Sequence, residues 1–219
     1  MLGRQSSAIV WRTAHRADSA TMASYARVPV VNALTDDFHP CQLLADLQTV
    51  QERLGSPAGV RVAFVGDGAC NMGNSPGARR RHRRTARHRG RTSRFPSRPP
   101  TWSERARVIA KDTGGSVVIG TDPVAAVTDA QVVVTDTWVS MGREEEAVER
   151  LELFAPYGVT SDLLAHAVPE AIVLHCLPAY RGKEISAEVI DGPQSAVWDE
   201  AENRRHAQKA ILAWLLEHS

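Results

Sequence analysis

Short apolar runs alternate with polar stretches of helical period along most of this chain, and the alternation predicts strands and helices in turn. Arg61-Val62-Ala63-Phe64-Val65-Gly66-Asp67 reads as a strand entering a glycine turn. Ser116 to Gly120, Gln131 to Asp136 and Ala171 to His175 read as three more, and Ala196-Val197-Trp198 as a short edge strand. Helices are predicted over Cys41 to Leu54, Arg105 to Lys111, Pro123 to Thr128, Ser161 to Ala167 and Glu200 to Glu217. In the last of these, Ala207, Ile211, Trp214 and Leu215 recur at helical spacing, as a core-facing stripe does. Strands alternating with helices imply an α/β fold with a parallel sheet covered on both faces.

Charge changes the picture at one place. Ten arginines lie between Arg79 and Arg98, and no acidic residue occurs from Gly68 to Ser103. Of 26 basic residues those ten leave 16 to set against 25 acidic ones, so an acidic body is interrupted by a basic insert and the formal net charge of +1 describes neither part. Pro76 to Pro100 holds one large apolar residue, Phe95, too little burial to offset ordering entropy, so disorder is expected. Two readings are open: an arginine-rich arm for RNA or another polyanion, or a stretch encoded in an altered reading frame. Its position favours the second.

No apolar stretch approaches the roughly 20 residues of a membrane span, and Met1 to Ser7 lack the apolar region of a signal peptide. Cys41, Cys70 and Cys176 show no C-x-x-C spacing, which argues against a disulfide framework or a zinc site and for a reducing cytoplasmic setting. A dinucleotide fold is the obvious rival for Gly66-Asp67-Gly68. The third glycine of G-x-G-x-x-G is replaced by Asn71, so that reading rests on fold analogy alone.

The junction where Ala171-Ile172-Val173-Leu174 runs into His175-Cys176-Leu177-Pro178 is the most informative feature. Ligands of open α/β sheets bind at the carboxyl ends of such strands. Together with Phe38-His39-Pro40-Cys41-Gln42-Leu43-Leu44-Ala45-Asp46, Gly66 to Ser75, Asp136-Thr137-Trp138-Val139-Ser140-Met141-Gly142 and Glu202-Asn203-Arg204, the junction resembles the ornithine carbamoyltransferase family in order and rough spacing. The resemblance covers about residues 8 to 75 and 104 to 219 and fails between them. It implies a Rossmann-like parallel sheet preceded by a partial carbamoyl-phosphate lobe. The expected division is 1–38 as that partial lobe, 39–55 as an interdomain helix and 56–219 as the ornithine-binding domain, interrupted by a disordered segment at 76–103.

What the resemblance implies for the site is specific. His39 and Gln42 bind and polarise the carbamoyl carbonyl, with Pro40 suited to the first turn of their helix. Arg12 and Arg204 bind carbamoyl phosphate, for which a planar guanidinium fork is apt. Read without the resemblance, His39 is a helix cap and Arg204 an ion-pair partner of Glu200 or Glu202. Asn71 contacts the carboxylate end of ornithine, although Cys70 stands where relatives carry asparagine. Asp136, Ser140 and Met141 hold its α-amino group, and Asp136 is otherwise a helix N-cap. Cys176 and Leu177 sit beside the reacting amine. A nucleophilic Cys176 is not expected, because neighbouring strand residues point to opposite faces and His175 is then poorly placed as its base.

The implied partners are carbamoyl phosphate and L-ornithine, giving L-citrulline and phosphate, with no cofactor or metal, no membrane and no nucleic acid. Guanidinium groups and oriented dipoles suffice for the developing oxyanion. The family's Ser-x-Arg-Thr phosphate loop appears nowhere in the sequence. That absence predicts impaired activity and makes the family's homotrimer doubtful. An inactive amino-acid-binding remnant is the alternative, followed by an arginine-arm RNA binder.

Overall fold

The computed structural model describes residues 1–68, 70–74, 82–87, 101–139 and 144–219. A small N-terminal unit comes first: strand β1 (Ile9–Arg12), helix α1 (Arg16–Ala26) and strand β2 (Val30–Leu34), with the strands parallel from Ile9 opposite Val30. Helix α2 (Pro40–Leu54) then leads into the larger unit. This contains β3 (Arg61–Gly66), α3 (Asn71–Asn74), β4 (His82–Arg87), α4 (Thr101–Asp112), β5 (Val117–Gly120), α5 (Pro123–Val127), β6 (Val132–Thr135), α6 (Ala147–Phe154), α7 (Ser161–Leu164), β7 (Ile172–His175), α8 (Ala187–Ile190) and α9 (Val197–Glu217). Its strands run in the order β5-β4-β3-β6-β7, all pairs parallel.

The period of two along β3, β6 and β7 sorts their side chains into two cores. Ala63, Val65, Val133 and Val173 join Trp138, Phe154, Tyr157, Leu163, Ile185 and Ile190 on one face. Phe64, Val132, Val134, Ile172 and Leu174 join Val50 of α2, Met72 and Ala196 on the other. Every residue of β6 and β7 is buried, which is why both read as continuous apolar runs. The glycine turn is also explained: Gly66 has φ +125°, a conformation that L side chains rarely adopt, and it ends β3 at the sheet's carboxyl edge.

Two expectations are corrected and a third is met only in part. Of the segment expected to be disordered, 76–81 and 88–100 lie outside the described residues, while His82–Arg87 form β4, paired with β3 and β5, and α4 begins at Thr101. Ladder pairing uses backbone groups that arginine shares with every other residue, and the slot between two strands offers them partners. The edge strand at 196–198 does not form. Ser195 makes one isolated bridge to Val173, and α9 starts at Val197. The stripe on α9 reaches solvent: Ala207 is buried but Trp214 is exposed, because the helix outruns the core it packs on.

Candidate functional site

Four elements converge at the carboxyl edge of the sheet: the N-terminus of α2, the ends of β6 and β7, and the first turns of α9. His39 is the residue before α2, with Pro40 in the first turn. Its side chain makes no capping bond. The imidazole is buried, and its pKa falls to about 4 through desolvation first, then the positive charges of Arg204 and Arg12. His39 is therefore neutral at pH 7 and faces two guanidinium groups. Arg12 ends β1 and is exposed, so it reaches His39 through charge.

Gln42 lies one turn into α2 and is buried. Its Nε2 donates to Asp46 Oδ1 at 2.9 Å and to Glu200 Oε1 at 2.6 Å, while its Oε1 accepts from Arg204 Nη1 at 2.6 Å. An amide nitrogen has two hydrogens, and both are used here. Gln42 is thus not placed to polarise a carbonyl by donation; the oxygen is the end it can offer. Arg204 is in turn held by Gln208, whose amide oxygen, turned inward, accepts from Nε and Nη2 at 3.0 Å each. Glu202 pairs instead with Arg205 and His206. Arg204 therefore does not serve as the ordinary helix ion pair with Glu202.

Glu200 ties this group to the sheet. Its Oε2 accepts the backbone N–H of His175 at 2.7 Å. The carboxyl is fully buried, and its pKa is raised well above the usual range by desolvation, then by the Asp46 carboxyl.

Beyond His175 the chain leaves extended geometry: Leu177 has φ +56° and precedes a cis proline, Pro178. A leucine in that region costs roughly 1–2 kcal/mol. The turn is held by Leu177 N–H donating to His175 Nδ1 at 2.9 Å. An accepting Nδ1 leaves the hydrogen on Nε2, which faces Glu184 Oε1 at 3.3 Å. Glu184 Oε1 also accepts Tyr180 N–H at 2.6 Å.

Cys176 Sγ donates to Asp136 Oδ1 at 3.1 Å, and the same oxygen accepts Thr137 N–H at 2.8 Å. Burial raises the Asp136 pKa, opposed by His175. Burial, followed by the Asp136 carboxylate, pushes the Cys176 thiol well above its ordinary value, so it stays protonated. The geometric objection to a His175 base needs correcting, because the turn brings the ligand atoms of Asp136, His175 and Cys176 within 4.8 Å of one another. Its conclusion rests on different ground: both ring nitrogens are engaged and the thiol is not ionised. The same three ligand atoms are close enough to hold a metal ion.

Asn71 opens α3 beside the buried Met72, on the loop after β3. Ser140 and Met141 lie outside the described residues. Asp46, Glu184 and Glu200 were not singled out in the sequence. For two of them the signal was spacing alone, Asp46 standing four residues after Gln42 and Glu200 four before Arg204, each one helical turn away; Glu184 has no such signal.

Comparison with known proteins defines the class. Residues 58–215 match the family model described as the aspartate/ornithine carbamoyltransferase Asp/Orn binding domain. Residues 1–52 match that of the carbamoyl-P binding domain of the same family. This chain belongs to the aspartate/ornithine carbamoyltransferase family.

Particular relatives sharpen the placement. The ornithine carbamoyltransferase of Clavibacter michiganensis subsp. michiganensis is 57% identical over 223 residues, spanning 100% of this chain and 71% of that protein. The ornithine carbamoyltransferase of Renibacterium salmoninarum is 50% identical, over 100% of this chain and 70% of its own length. Among solved structures, the ornithine carbamoyltransferase from Pyrococcus furiosus superposes with a TM-score of 0.88 at 43% identity, covering 99% of this chain and 68% of that one. The one from Gloeobacter violaceus gives 0.86, also at 43% identity, covering 98% and 72%.

Proposed function

We propose that this chain carries the site for carbamoyl transfer from carbamoyl phosphate to L-ornithine, giving L-citrulline and phosphate. The observation that carries the reading is the joining of two half-sites by Glu200. One gathers the guanidinium groups of Arg12 and Arg204 around neutral His39; the other pairs the Asp136 carboxyl with the Cys176 thiol. Glu200 bonds both Gln42 and the backbone of His175.

In this reading the guanidinium groups neutralise the phosphate. Neutral His39 and Arg204 face the carbamoyl oxygen, which gains negative charge as the ornithine δ-amine attacks. A bond forms between that nitrogen and the carbonyl carbon, the carbon–oxygen bond to phosphate breaks, and the amine releases a proton to phosphate or solvent. Asp136, with Ser140 and Met141, takes the α-amino group, and Asn71 the α-carboxylate. Cys176 and Leu177 line the place of the reacting amine. The relatives named for ornithine, and the Asp136–Cys176 pair, favour ornithine over another amine.

The chain spans 71% of the length of the Clavibacter relative, and the Ser-x-Arg-Thr pattern is not within these 219 residues. The second reading is an amino-acid-binding remnant. Among the described residues, no helix is long and apolar enough to cross a membrane. The three cysteines are unbridged, which suits a reducing compartment such as the cytoplasm.

The test is citrulline formation by the purified chain beside Cys176→Ala and His39→Ala, with ornithine binding followed by calorimetry. Slow turnover lost in both variants is the expected result. Ornithine heat without turnover establishes the remnant, and absence of both overturns the proposal.

A further inference from the structure

We infer that Arg150 is a positioning residue that ties together the two loops assigned above to the α-amino-acid end of ornithine, and so fixes the spacing at which its carboxylate and its α-amino group are received. The inference rests on that reading of the site and deepens it. Arg150 lies near the start of α6, and its side chain is only 4% exposed. A guanidinium taken out of water is costly unless its hydrogens and its charge are met. Here Nε donates to the Trp138 carbonyl and Nη2 to Asp67 Oδ2, both at 2.5 Å. Nη1 faces Glu146 Oε2 at 3.6 Å, and the guanidinium carbon lies 5.1 Å from the centroid of the Phe154 ring.

The two hydrogen-bonded partners come from separate loops at the carboxyl edge of the sheet. Asp67 follows the last residue of β3, and its carbonyl accepts the Cys70 N–H at 3.1 Å in the turn that leads to Asn71. Trp138 lies on the loop after β6, two residues past Asp136. Its indole closes the same junction. The ring is buried, stacks on Phe154 with centroids 6.3 Å apart, and stands beside Gly66, where a Cβ would meet its Nε1 at 3.5 Å. An α-amino acid carries carboxylate and ammonium on one carbon, so loops that take one each must keep a fixed separation. Two nitrogens of one rigid plane supply that constraint, which charge alone does not. Lysine at this position would keep a cation for Asp67, but its single nitrogen on a flexible stem cannot reproduce the fork that also holds the Trp138 carbonyl.

The experiment measures calorimetric binding of L-ornithine, putrescine and 5-aminopentanoate to the full chain, to Arg150→Lys and to Asp67→Asn, with carbamoyl phosphate as the control ligand. Putrescine is ornithine without the carboxylate, and 5-aminopentanoate is ornithine without the α-amino group. The wild-type chain is expected to bind ornithine roughly tenfold more tightly than either half-ligand, about one hydrogen bond. In Arg150→Lys that preference should fall toward unity, while both half-ligands and carbamoyl phosphate keep their affinities within about twofold. Asp67→Asn leaves an acceptor for Nη2, so it should reduce the preference by less, and it carries the test if the first variant does not fold. A folded variant that keeps the full preference, or that loses affinity for all four ligands alike, overturns the bridge and leaves the proposed function standing. A wild-type chain that binds carbamoyl phosphate but holds ornithine no better than the half-ligands overturns the assignment of the two loops, and the inference with it.

Discussion

The two sides of the larger sheet are built to the same topology from opposite materials. From β3 outward through β6 and β7 the strands are mostly apolar, and the last four residues of β3 and every residue of β6 and β7 are buried. On the other side β4 reads His82-Arg83-Arg84-Thr85-Ala86-Arg87, and β5 alternates half-buried and exposed positions. Parallel pairing is met on both sides, since backbone hydrogen bonds do not depend on side-chain type. Burial is not. Apolar area removed from water supplies most of the stabilisation of such a sheet, so stability and the site are expected to belong to the β3-β6-β7 side.

Substitution gives the largest contrast. Leu174 is fully buried in β7, in the cluster with Phe64 and Val134. Leu174→Ala is expected to cost about 2–5 kcal/mol in urea unfolding. Loss of less than about 1 kcal/mol would show that the apolar side is not where stability resides.

The same side carries a pH dependence, through the junction it makes with α2. His39 has a folded pKa of about 4, below its unfolded value of 6.5. A depressed pKa gives stability that is full above pH 6.5 and is lost as pH falls toward 4, because the unfolded chain takes up the proton first. Between pH 7.5 and pH 5 the loss from this residue should be about 2 kcal/mol. Glu200 and Asp136 have raised values, so they act in the opposite sense, favouring the fold at low pH and losing that contribution as pH rises through their folded pKa. The check is therefore differential. His39→Gln should flatten the acid limb of stability against pH relative to wild type, and an unchanged limb would refute the neutral, charge-flanked imidazole.

Much of this division was legible in the sequence. The runs Val132-Val133-Val134 and Ile172-Val173-Leu174 announce buried parallel strands by composition alone. His39, Gln42 and Arg204 were legible as members of motifs, and the structure connects all three. What was not legible depended on the third dimension. The Arg-rich stretch defeats any reading from burial, since ladder pairing is invisible to side-chain patterns. Likewise nothing along the chain says that Glu200 will meet Gln42, which lies 158 residues away. Nor does the motif say that the turn at Leu177 will bring His175 and Cys176 to the same side. Sequence spacing specifies neighbours along an element, whereas a site at a sheet edge is made by elements distant in sequence.

Amide exchange tests the comparison without perturbing it. In β6 all four residues are buried and paired to strands on both sides, so their amides should be among the slowest to exchange. Those of Val117 to Gly120, in an edge strand with alternating exposure, should exchange faster by at least an order of magnitude. Equal protection in β5 and β6 would mean that the sheet opens as one unit and that the two sides are not distinct.

The smallest effect is expected at Val118 of β5, which is 54% exposed and outside both apolar clusters. Truncation to alanine removes two methyl groups that are already half in water, so little transfer energy and no enclosed cavity are at stake. What remains is the strand preference of a β-branched residue, under about 1 kcal/mol. Val133→Ala on β6 is the matched control, with the same chemistry at a fully buried position, and should cost distinctly more by creating a void between β3 and Trp138. If the two substitutions cost the same, then β5 packs against something that covers it in the working protein, and the contrast between the two sides belongs to the isolated chain alone.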